Sequence, residues 1–218
     1  SLLSWLSSAE VATLAHHVQD RGVHLISNIR NDQGLVNAVT GWTPSYAGAC
    51  NGAGSFTLNG SGFVSGPTLL DDDSFIFCHY ESSLPTDADG WFAVGAEVSA
   101  WTSPFGWGRV TLLGADWCCL PLSDTTWRQV LGSALEWCRT STSMSTSTTA
   151  TETSTSTSTS TSTTATAATS CAVYLFMGPD VVNMSRTGDN LQGIVQSLSS
   201  SVDIWPSTTA MLGALNAG

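Results

Sequence analysis

The sequence predicts an α/β fold with a parallel sheet, a β-rich insertion and a long linker of different composition. Amphipathic helical segments alternate with short apolar runs before residue 53 and again in 171–218. Between 53 and 117 the pattern changes to short β runs broken by Gly, Pro and Asp. Residues 140–170 hold 25 Ser and Thr in 31 positions, a composition that buries too little apolar surface to fold alone.

The first helix is the most clearly specified element of the chain. Ser7 and Glu10 match a capping box at its start, and Gly22 matches its C-terminal stop. An apolar stripe at helical spacing runs along residues 7–22 and consists of Val11, Leu14, Ala15 and Val18. The apolar run at 23–27 that follows predicts a buried strand.

The remaining elements repeat these two patterns. Residues 34–41 predict a short helix, and residues 125–138 predict a longer one. The apolar face of the longer helix consists of Trp127, Val130, Leu131, Ala134, Leu135 and Cys138. After the Ser/Thr tract, the predicted elements are a strand at 171–178, a helix at 189–201, a strand at 202–205 and a helix at 207–218.

The chain divides into three parts whose order is unusual for one domain. Residues 1–139 begin on a helix with no first strand, and residues 171–218 form a β-α-β-α unit too small to cover its own edges. In the order 171–218 then 1–139, the two parts give a regular α/β succession with right-handed crossovers. Residues 140–170 then link two pieces of one fold type that are cut out of order.

Charge and hydropathy argue against two kinds of partner. The 218-residue chain has a formal net charge of −11, six Arg and no Lys. It offers no basic patch that could release counterions from nucleic acid or hold an anionic membrane surface. Because no apolar run reaches about 18 residues, we expect no membrane span.

Cysteines and glycosylation sequons together favour an oxidising, extracellular location. Sequons occur at Asn59 and Asn183. The six cysteines, all disulfide candidates, are Cys50, Cys78, Cys118, Cys119, Cys138 and Cys171. Cys138 and Cys171 flank the Ser/Thr tract, so pairing with each other or with Cys118–Cys119 would fix its ends. The sequence leaves the connectivity open.

In the reordered series, the elements resemble divergent class I glutamine amidotransferase-like domains of secreted repeat proteins. The matching stretches are "LSSAEVATLAHHVQDRGVHLI", "GPTLL" before "SSLP", "GWGRVTLLGADW", Trp127 to Trp137, and the tail "VYLFMGP…NLQGIVQSLSSSVDIW". The resemblance implies a flavodoxin-like parallel sheet with a β-rich insertion, completed by the C-terminal segment. It also implies a further strand between Gly218 and Ser1, of which "SLLSWL" is a candidate remnant.

Cys50 is the candidate nucleophile that the resemblance implies. "GACNG" at 48–52 fits G-x-C-x-G, but a nucleophile elbow needs a strand before it and a helix after it. Here the flanking residues predict a loop that leads into a β run. His79 follows Cys78 in a β run with Glu81 nearby, and although the spacing is that of His-x-Glu we do not identify this pair with the family's motif. We therefore predict no catalysis and expect a disulfide at Cys50, with Cys78 as a candidate partner.

Three other polar groupings predict neither a metal nor a cofactor site. His16 and His17 point about 100° apart on a helix, so they cannot chelate one metal ion. Asp71–Asp73 lacks the alternating spacing of a calcium loop and predicts a solvated turn. Asp116 ends a β run with no nucleophile or base beside it in the sequence. Covalent glycans are the only non-protein groups that we expect.

The Ser/Thr tract has the composition of an O-glycosylated stalk. Its candidate glycosylation sites are Thr140, Ser141, Thr142, Ser143, Thr153, Ser154, Thr155, Ser156, Thr157, Ser158, Thr159, Ser160, Thr161, Ser162, Thr163 and Thr164. Extended at about 3.1 Å per residue, it would reach roughly 95 Å. A compact domain of this size is only ~40 Å across. The excess length suggests that the tract runs along something larger than one domain.

These observations predict a non-catalytic structural glycoprotein of an extracellular filament. In this hypothesis, residues 171–218 of one subunit or repeat complete the sheet of the next, so copies of the chain are its partners. One alternative is a divergent cysteine hydrolase or amidotransferase-like enzyme. Another is a secreted carbohydrate-binding or adhesion module that uses exposed tryptophans, with Trp5, Trp42, Trp91, Trp101 and Trp107 as candidates.

Overall fold

The structure is a computed structural model that describes residues 6–50, 56–58, 66–70, 76–115, 125–141 and 173–175. The helices are α1 (Ser8–Arg21), α2 (Ile29–Thr40) and α3 (Thr126–Ser141). The strands are β1 (His24–Asn28), β2 (Tyr46–Ala49), β3 (Phe56–Leu58), β4 (Leu69–Leu70), β5 (Phe77–Tyr80), β6 (Asp89–Val94), β7 (Glu97–Phe105), β8 (Gly108–Leu113) and β9 (Val173–Leu175). The elements predicted between 189 and 218 lie outside the described residues, as does most of the Ser/Thr tract.

Helix α1 begins and ends where the sequence predicted. The Ser7 hydroxyl accepts a hydrogen bond from the Glu10 backbone N–H at 3.3 Å, and the Glu10 carboxylate accepts one from the Ser7 backbone N–H at 2.6 Å. These bonds satisfy two amides that the first helical turn leaves without partners, and they lower the pKa of Glu10. Gly22 ends the helix with a φ of 74°, which a residue with a Cβ atom adopts only with strain.

Helix α2 is longer than the predicted segment at 34–41. It begins at Ile29, directly after β1, because the Asn28 side chain caps it. The Asn28 Oδ1 atom accepts a hydrogen bond from the Arg30 backbone N–H at 2.7 Å. A strand residue that is also the helix cap leaves no loop between the two elements, so the change from strand to helix has no turn signal.

All nine described strands belong to one mixed sheet that divides at β7. The main order is β4-β3-β6-β7-β8-β1-β9, and β2 and β5 form a branch that joins β7. β1 runs parallel to both β8 and β9, whereas the other pairs are antiparallel. The α/β class is confirmed. We call β8, β1 and β9 with the three helices the parallel unit, and β2 to β7 the antiparallel unit.

The sheet separates two apolar cores, one on each face. On the first face, α3 covers β1 and the end of β8, with Trp127 and Leu131 packed into the same cluster as Ile26 and Leu113. On the second face, α1 and α2 cover alternate residues of the same strands. That second core includes Leu14, Val18, Leu25, Leu35, Val36, Trp101, Val110 and Leu112. Helices on both faces leave β1 and β8 buried, as parallel strands require.

Candidate functional site

The junction between β1 and β9 is the candidate functional site, because there a distant segment completes the sheet. All five residues of β1 are buried, and β8 occupies one of its edges over its full length. β9 occupies the other edge in parallel register, with His24 opposite Val173 and Ile26 opposite Leu175. β1 is therefore an interior strand only as long as β9 is in place.

The physical reason for this dependence is hydrogen bonding. Each β1 residue carries one backbone N–H and one C=O, and half of these groups point toward the β9 side. Buried backbone groups without partners cost free energy comparable to that of a lost hydrogen bond. Because β1 is buried on both faces, an empty edge there would expose an apolar strand that is ready to pair with another chain.

Side-chain packing adds to the backbone pairing at this junction. Val173 is half-buried and packs against the α3-side core, which contains Ile26 and Trp127. β9 thus contributes to the same apolar cluster as α3, although the Ser/Thr tract lies between the two in sequence. An acidic residue at position 173 would place a charge against this cluster and oppose the pairing.

Beside this junction, a row of buried polar side chains crosses β1, β8 and β7. His24 Nε2 lies 2.7 Å from the Thr111 hydroxyl, which lies 2.8 Å from the Thr102 hydroxyl. The Arg109 guanidinium donates to Thr102 at 3.4 Å. Burial, with a smaller contribution from the Arg109 charge, lowers the pKa of His24 to about 3. His24 is therefore neutral at physiological pH and serves as a hydrogen-bonding core residue.

The carboxyl end of β1 is where open α/β sheets bind ligands, but here its polar side chains bond to one another or to the backbone. The Ser27 hydroxyl donates to the Asp32 carboxylate at 3.1 Å. Asn28 caps α2 and also donates through Nδ2 to the Ala115 carbonyl beyond β8. All three side chains are buried, so these bonds fix α2 and the end of β8 on β1.

Cys50 is not a free thiol in the structure. It forms a disulfide with Cys78, which joins the end of β2 to β5. The segment before Cys50 is the strand Tyr46–Ala49, so the predicted loop there is wrong. The two sulfur atoms and the Glu97 carboxylate lie within 4.8 Å of one another, but sulfurs joined in a disulfide are not thiolate metal ligands.

His79 also has a structural role rather than that of a base for Cys50. The Trp101 indole N–H donates to His79 Nδ1 at 2.9 Å, so this nitrogen of the ring is an acceptor. Burial lowers the pKa of His79 to about 4, which keeps the ring neutral. Cys78 and His79 are adjacent in a strand and point to opposite faces, so the ring faces away from the disulfide.

The other residues singled out in the sequence are either separated or outside the described part of the chain. His16 is exposed and lies 2.6 Å from Asp20, whereas His17 is buried and its pKa is lowered, mainly by burial. The two histidines thus have different environments, and neither belongs to the metal-type grouping around Cys50. The candidates outside the described backbone are Asn59, Asp71–Asp73, Asp116, Cys118, Cys119, Cys171, Asn183 and the Ser/Thr sites from Thr142 onward. Thr140, Ser141 and Cys138 lie in α3, and their side chains are outside the described set.

The tryptophans that were candidates for sugar stacking differ in how far they are buried. Trp91 and Trp101 are fully buried, and Trp42 packs against Trp101 and Phe105 with ring centroids 6.2 and 5.6 Å away. Trp107 is 85% exposed. Trp5 lies outside the described residues. Core packing therefore accounts for three of the candidates, and Trp107 remains available to a ligand.

Sequence reasoning missed two polar groups, which are the row from His24 to Arg109 and the Ser27–Asp32 pair. Their members are His, Thr, Arg, Ser and Asp residues with no motif spacing. Alternation within the strands was the one signal available, since His24, Ile26 and Asn28 share one face of β1. That signal gives the face of each residue but not its partner 87 positions away in β8, with which His24 bonds.

No protein-family model, curated protein or solved structure matches this chain. Among the described residues, no helix is long and apolar enough to cross a membrane.

Proposed function

We propose that this protein is a non-catalytic structural glycoprotein of an extracellular filament. In this proposal, residues 171–218 of one subunit or repeat add to the β1 edge of the next. The observation that carries the proposal is the pairing of β9 with β1 across a connection that includes residues 142–170 of the Ser/Thr tract. The same three backbone pairs can form within one chain or between two copies, because the Ser/Thr tract connects β9 to the rest of the chain.

The length of the connection supports exchange between copies. Thirty-one residues separate Ser141 at the end of α3 from Val173 at the start of β9. Both ends belong to elements of one compact domain of ~40 Å or less, whereas the connection can extend to roughly 95 Å. The entropy cost of closing a loop rises only slowly with its length, so pairing within one chain and pairing between two copies compete. Dense O-linked sugars would stiffen the tract and shift this balance toward a neighbour.

The strand order supports the proposed resemblance to class I amidotransferase-like, flavodoxin-like domains in shifted order. The flavodoxin-like sheet has the strand order 2-1-3-4-5. In that numbering β9, β1 and β8 would be strands 1, 3 and 4, which are adjacent and parallel here as well. This numbering leaves no place for the further strand that we expected between Gly218 and Ser1. Strand 2 would then be the segment at 202–205, placed beyond β9.

The proposed lack of catalysis rests on Cys50, the nucleophile that the resemblance implies. Its sulfur is bound to Cys78, and the nearby His79 accepts a hydrogen bond from Trp101. The disulfide also suits the extracellular location that we propose.

Assembly can be tested with the full chain, produced in a glycosylating and oxidising host. We expect that refolding at high concentration gives oligomers or filaments, seen by light scattering and electron microscopy. We also expect residues 1–170, which lack β9, to bind a separate 171–218 segment. If the full chain stays monomeric after refolding at every concentration and the two pieces do not associate, the proposal fails.

A pair of matched variants makes the test specific to the β1 edge. Val173→Asp places a charge against the α3-side core and should weaken association of the two pieces at least about tenfold. Leu69→Asp changes an exposed apolar residue in β4, at the opposite end of the strand order, and should leave association unchanged. Equal effects of the two variants would show that association does not use the β1 edge.

A further inference from the structure

Trp107 is a large apolar side chain that the fold holds in solvent. It lies in the turn between β7 and β8 and is 85% exposed, whereas the other large apolar side chains exposed among the described residues are at 41–43%. An indole in water leaves a large apolar face without contacts. Single exposed apolar residues are common, so exposure alone assigns no role, and the surroundings of Trp107 must decide.

The backbone that carries Trp107 is fixed against the end of α1. The Trp107 N–H donates to the Gln19 carbonyl at 2.6 Å. A Cβ atom at Gly106 would lie 2.2 Å from that same carbonyl oxygen, and one at Gly108 would lie 2.2 Å from the Val18 carbonyl oxygen. Only glycine allows the turn to approach the helix this closely on both sides of the tryptophan. The indole is therefore presented from a rigid backbone, which lowers the entropy cost of binding a ligand.

The chain around Trp107 is polar rather than apolar. Gln19, Asp20 and Arg21 are exposed at the end of α1, and a Cβ atom at Gly22 would lie 3.5 Å from the Trp107 carbonyl oxygen. These side chains carry amide, carboxylate and guanidinium groups, and they lie within a few residues of the Gln19 carbonyl that accepts the Trp107 N–H. Amide and guanidinium groups donate hydrogen bonds, and the carboxylate accepts them.

The other exposed apolar side chains lie at the far end of β7. Tyr80 is opposite Glu97, and Tyr46 is opposite His79, which pairs with Val98. Leu69 is opposite Thr57, which is opposite Ala93, and Ala93 is in turn opposite Val98. Leu69 therefore lies at the same end of β7. From Val98 to the turn at Trp107 is nine residues, or roughly 30 Å along an extended strand. Trp107 therefore shares no apolar patch with these residues.

A lone exposed aromatic face beside a helix end that carries hydrogen-bonding groups fits a sugar better than a protein. A stable protein interface covers about 800 Å² on each partner around a core of several apolar residues. A pyranose ring is much smaller, with C–H groups on one face and hydroxyls around its edge. The C–H face packs on the electron-rich indole face, and the hydroxyls exchange hydrogen bonds with polar neighbours.

We infer that Trp107 is a saccharide-stacking site that takes a pyranose ring of an O-linked glycan. The source that the register favours is the glycosylation proposed for the Ser/Thr tract, and this part rests on the proposed function. Val173 lies opposite His24, and His24 lies opposite Arg109, so β9 begins two strand spacings from β8. Two spacings are about 10 Å, and Trp107 is two residues before Arg109, or about 7 Å along the strand. β9 thus begins at the same end of the sheet as Trp107, and Thr169 and Ser170 precede it by a few residues in the sequence.

Binding can be tested with the full chain produced without glycans in an oxidising bacterial host. The probes are methyl glycosides of galactose, glucose, mannose and N-acetylgalactosamine at millimolar concentrations. The readout is the indole N–H signal of Trp107 in the nitrogen–proton NMR spectrum, assigned by its loss in Trp107→Phe. We expect at least one glycoside to shift this signal in a saturable way. Trp107→Ala should weaken that binding, followed by saturation-transfer NMR, about tenfold or more.

Two controls separate the possible results. Tyr80→Ala removes another exposed aromatic side chain and should leave glycoside binding unchanged. Circular dichroism should show an unchanged fold for Trp107→Ala, because the side chain is exposed. The inference is overturned if no glycoside shifts the signal, if Trp107→Ala binds as tightly as the unaltered chain, or if Trp107→Ala abolishes a self-association that sugars do not affect.

A second arm identifies the source of the sugar. Full chain from a glycosylating host should show the Trp107 signal already shifted, and enzymatic removal of O-glycans should restore the free position. If intact-mass measurement shows no glycans but free glycosides still bind at Trp107, the tract is not the source and the proposed glycoprotein fails, while the saccharide site stands.

Discussion

The parallel and antiparallel units of the sheet are held together in different ways. The parallel unit joins strands that begin at His24, Gly108 and Val173, so each pair closes a long stretch of chain. In the antiparallel unit, β6 and β7 are joined by a tight turn, and the Cys50–Cys78 disulfide cross-links the end of β2 to β5. Closing long loops costs more chain entropy than closing hairpins, and a disulfide reduces that cost in advance.

This difference indicates which part of the fold can be exchanged between copies of the chain. The antiparallel unit forms from neighbouring segments, and a copy from another chain would have to replace several strands at once. In the parallel unit a single short strand, β9, contributes three residue pairs to the edge of β1. The two units share one sheet through β7 and β8, so damage to either should be transmitted to the other.

The largest effect is expected from the core of the parallel unit. Trp127→Ala removes a fully buried indole from the cluster that holds α3 on β1, and should cost about 3–5 kcal/mol of unfolding free energy. Trp107→Ala is the matched control and should change stability by no more than about 0.5 kcal/mol. Urea unfolding measures both. Equal losses in the two variants would contradict the packing described for α3.

Removal of the disulfide tests the antiparallel unit. Cys50→Ala with Cys78→Ala opens a loop with a sequence separation of 28 residues, for which chain entropy gives about 3–4 kcal/mol. If the two units unfold together, thermal unfolding should remain a single transition at lower temperature. A second transition, in which β1 amides remain protected from hydrogen exchange after the antiparallel unit has unfolded, would show that the parallel unit is stable without the disulfide.

Acid should destabilise both units through one buried histidine in each. The pKa values of His24 and His79 are lowered to about 3 and about 4, whereas an unfolded histidine titrates near 6.5. Above pH 6.5 both states are neutral and stability is complete. As the pH falls from 6.5 toward 4, only the unfolded chain gains protons, so stability drops.

The contribution of each unit to this loss of stability with falling pH can be measured separately. Each histidine contributes at most about 1.4 kcal/mol per pH unit, and His17 acts in the same direction. His24→Gln should flatten the pH dependence through the parallel unit, and His79→Gln through the antiparallel unit. Urea midpoints at pH 7 and pH 5 measure this. If neither substitution changes the difference between the two midpoints, the burial described for these rings is wrong.

The smallest predicted effect lies at the start of α1. Ser7→Ala removes the acceptor for the Glu10 amide and should cost about 1 kcal/mol. Ser7→Thr keeps a hydroxyl and should recover most of the loss. An equal loss in both variants would indicate that the capping hydrogen bond contributes little.

Prediction from sequence succeeded where the determinants are local. The bounds of α1 follow from Ser7, Glu10 and Gly22, which act within one turn of where they stand. The strand at 23–27 was confirmed with a shift of one residue, because its apolar run is unbroken. The start of α2 was missed, since Asn28 caps a helix while it is still part of a strand.

Prediction of the candidate site was less complete. Cys78 was named as one partner for Cys50, and the structure forms that pair. The polar row of His24, Thr111 and Thr102 was not foreseen, because its hydrogen bonds join residues of strands far apart in sequence. No motif marks such contacts before the register of the strands is known.

The sequence by itself determined the α/β class, the caps of α1, the acidic charge and the separate composition of the Ser/Thr tract. These properties depend on residue type and on spacing within a few positions. Only the tertiary structure decided that β9 pairs with β1, that Trp101 is buried while Trp107 is exposed, and that Cys50 bonds to Cys78. Each of these depends on strand register and on the face that each residue presents, which arise when distant segments pack together.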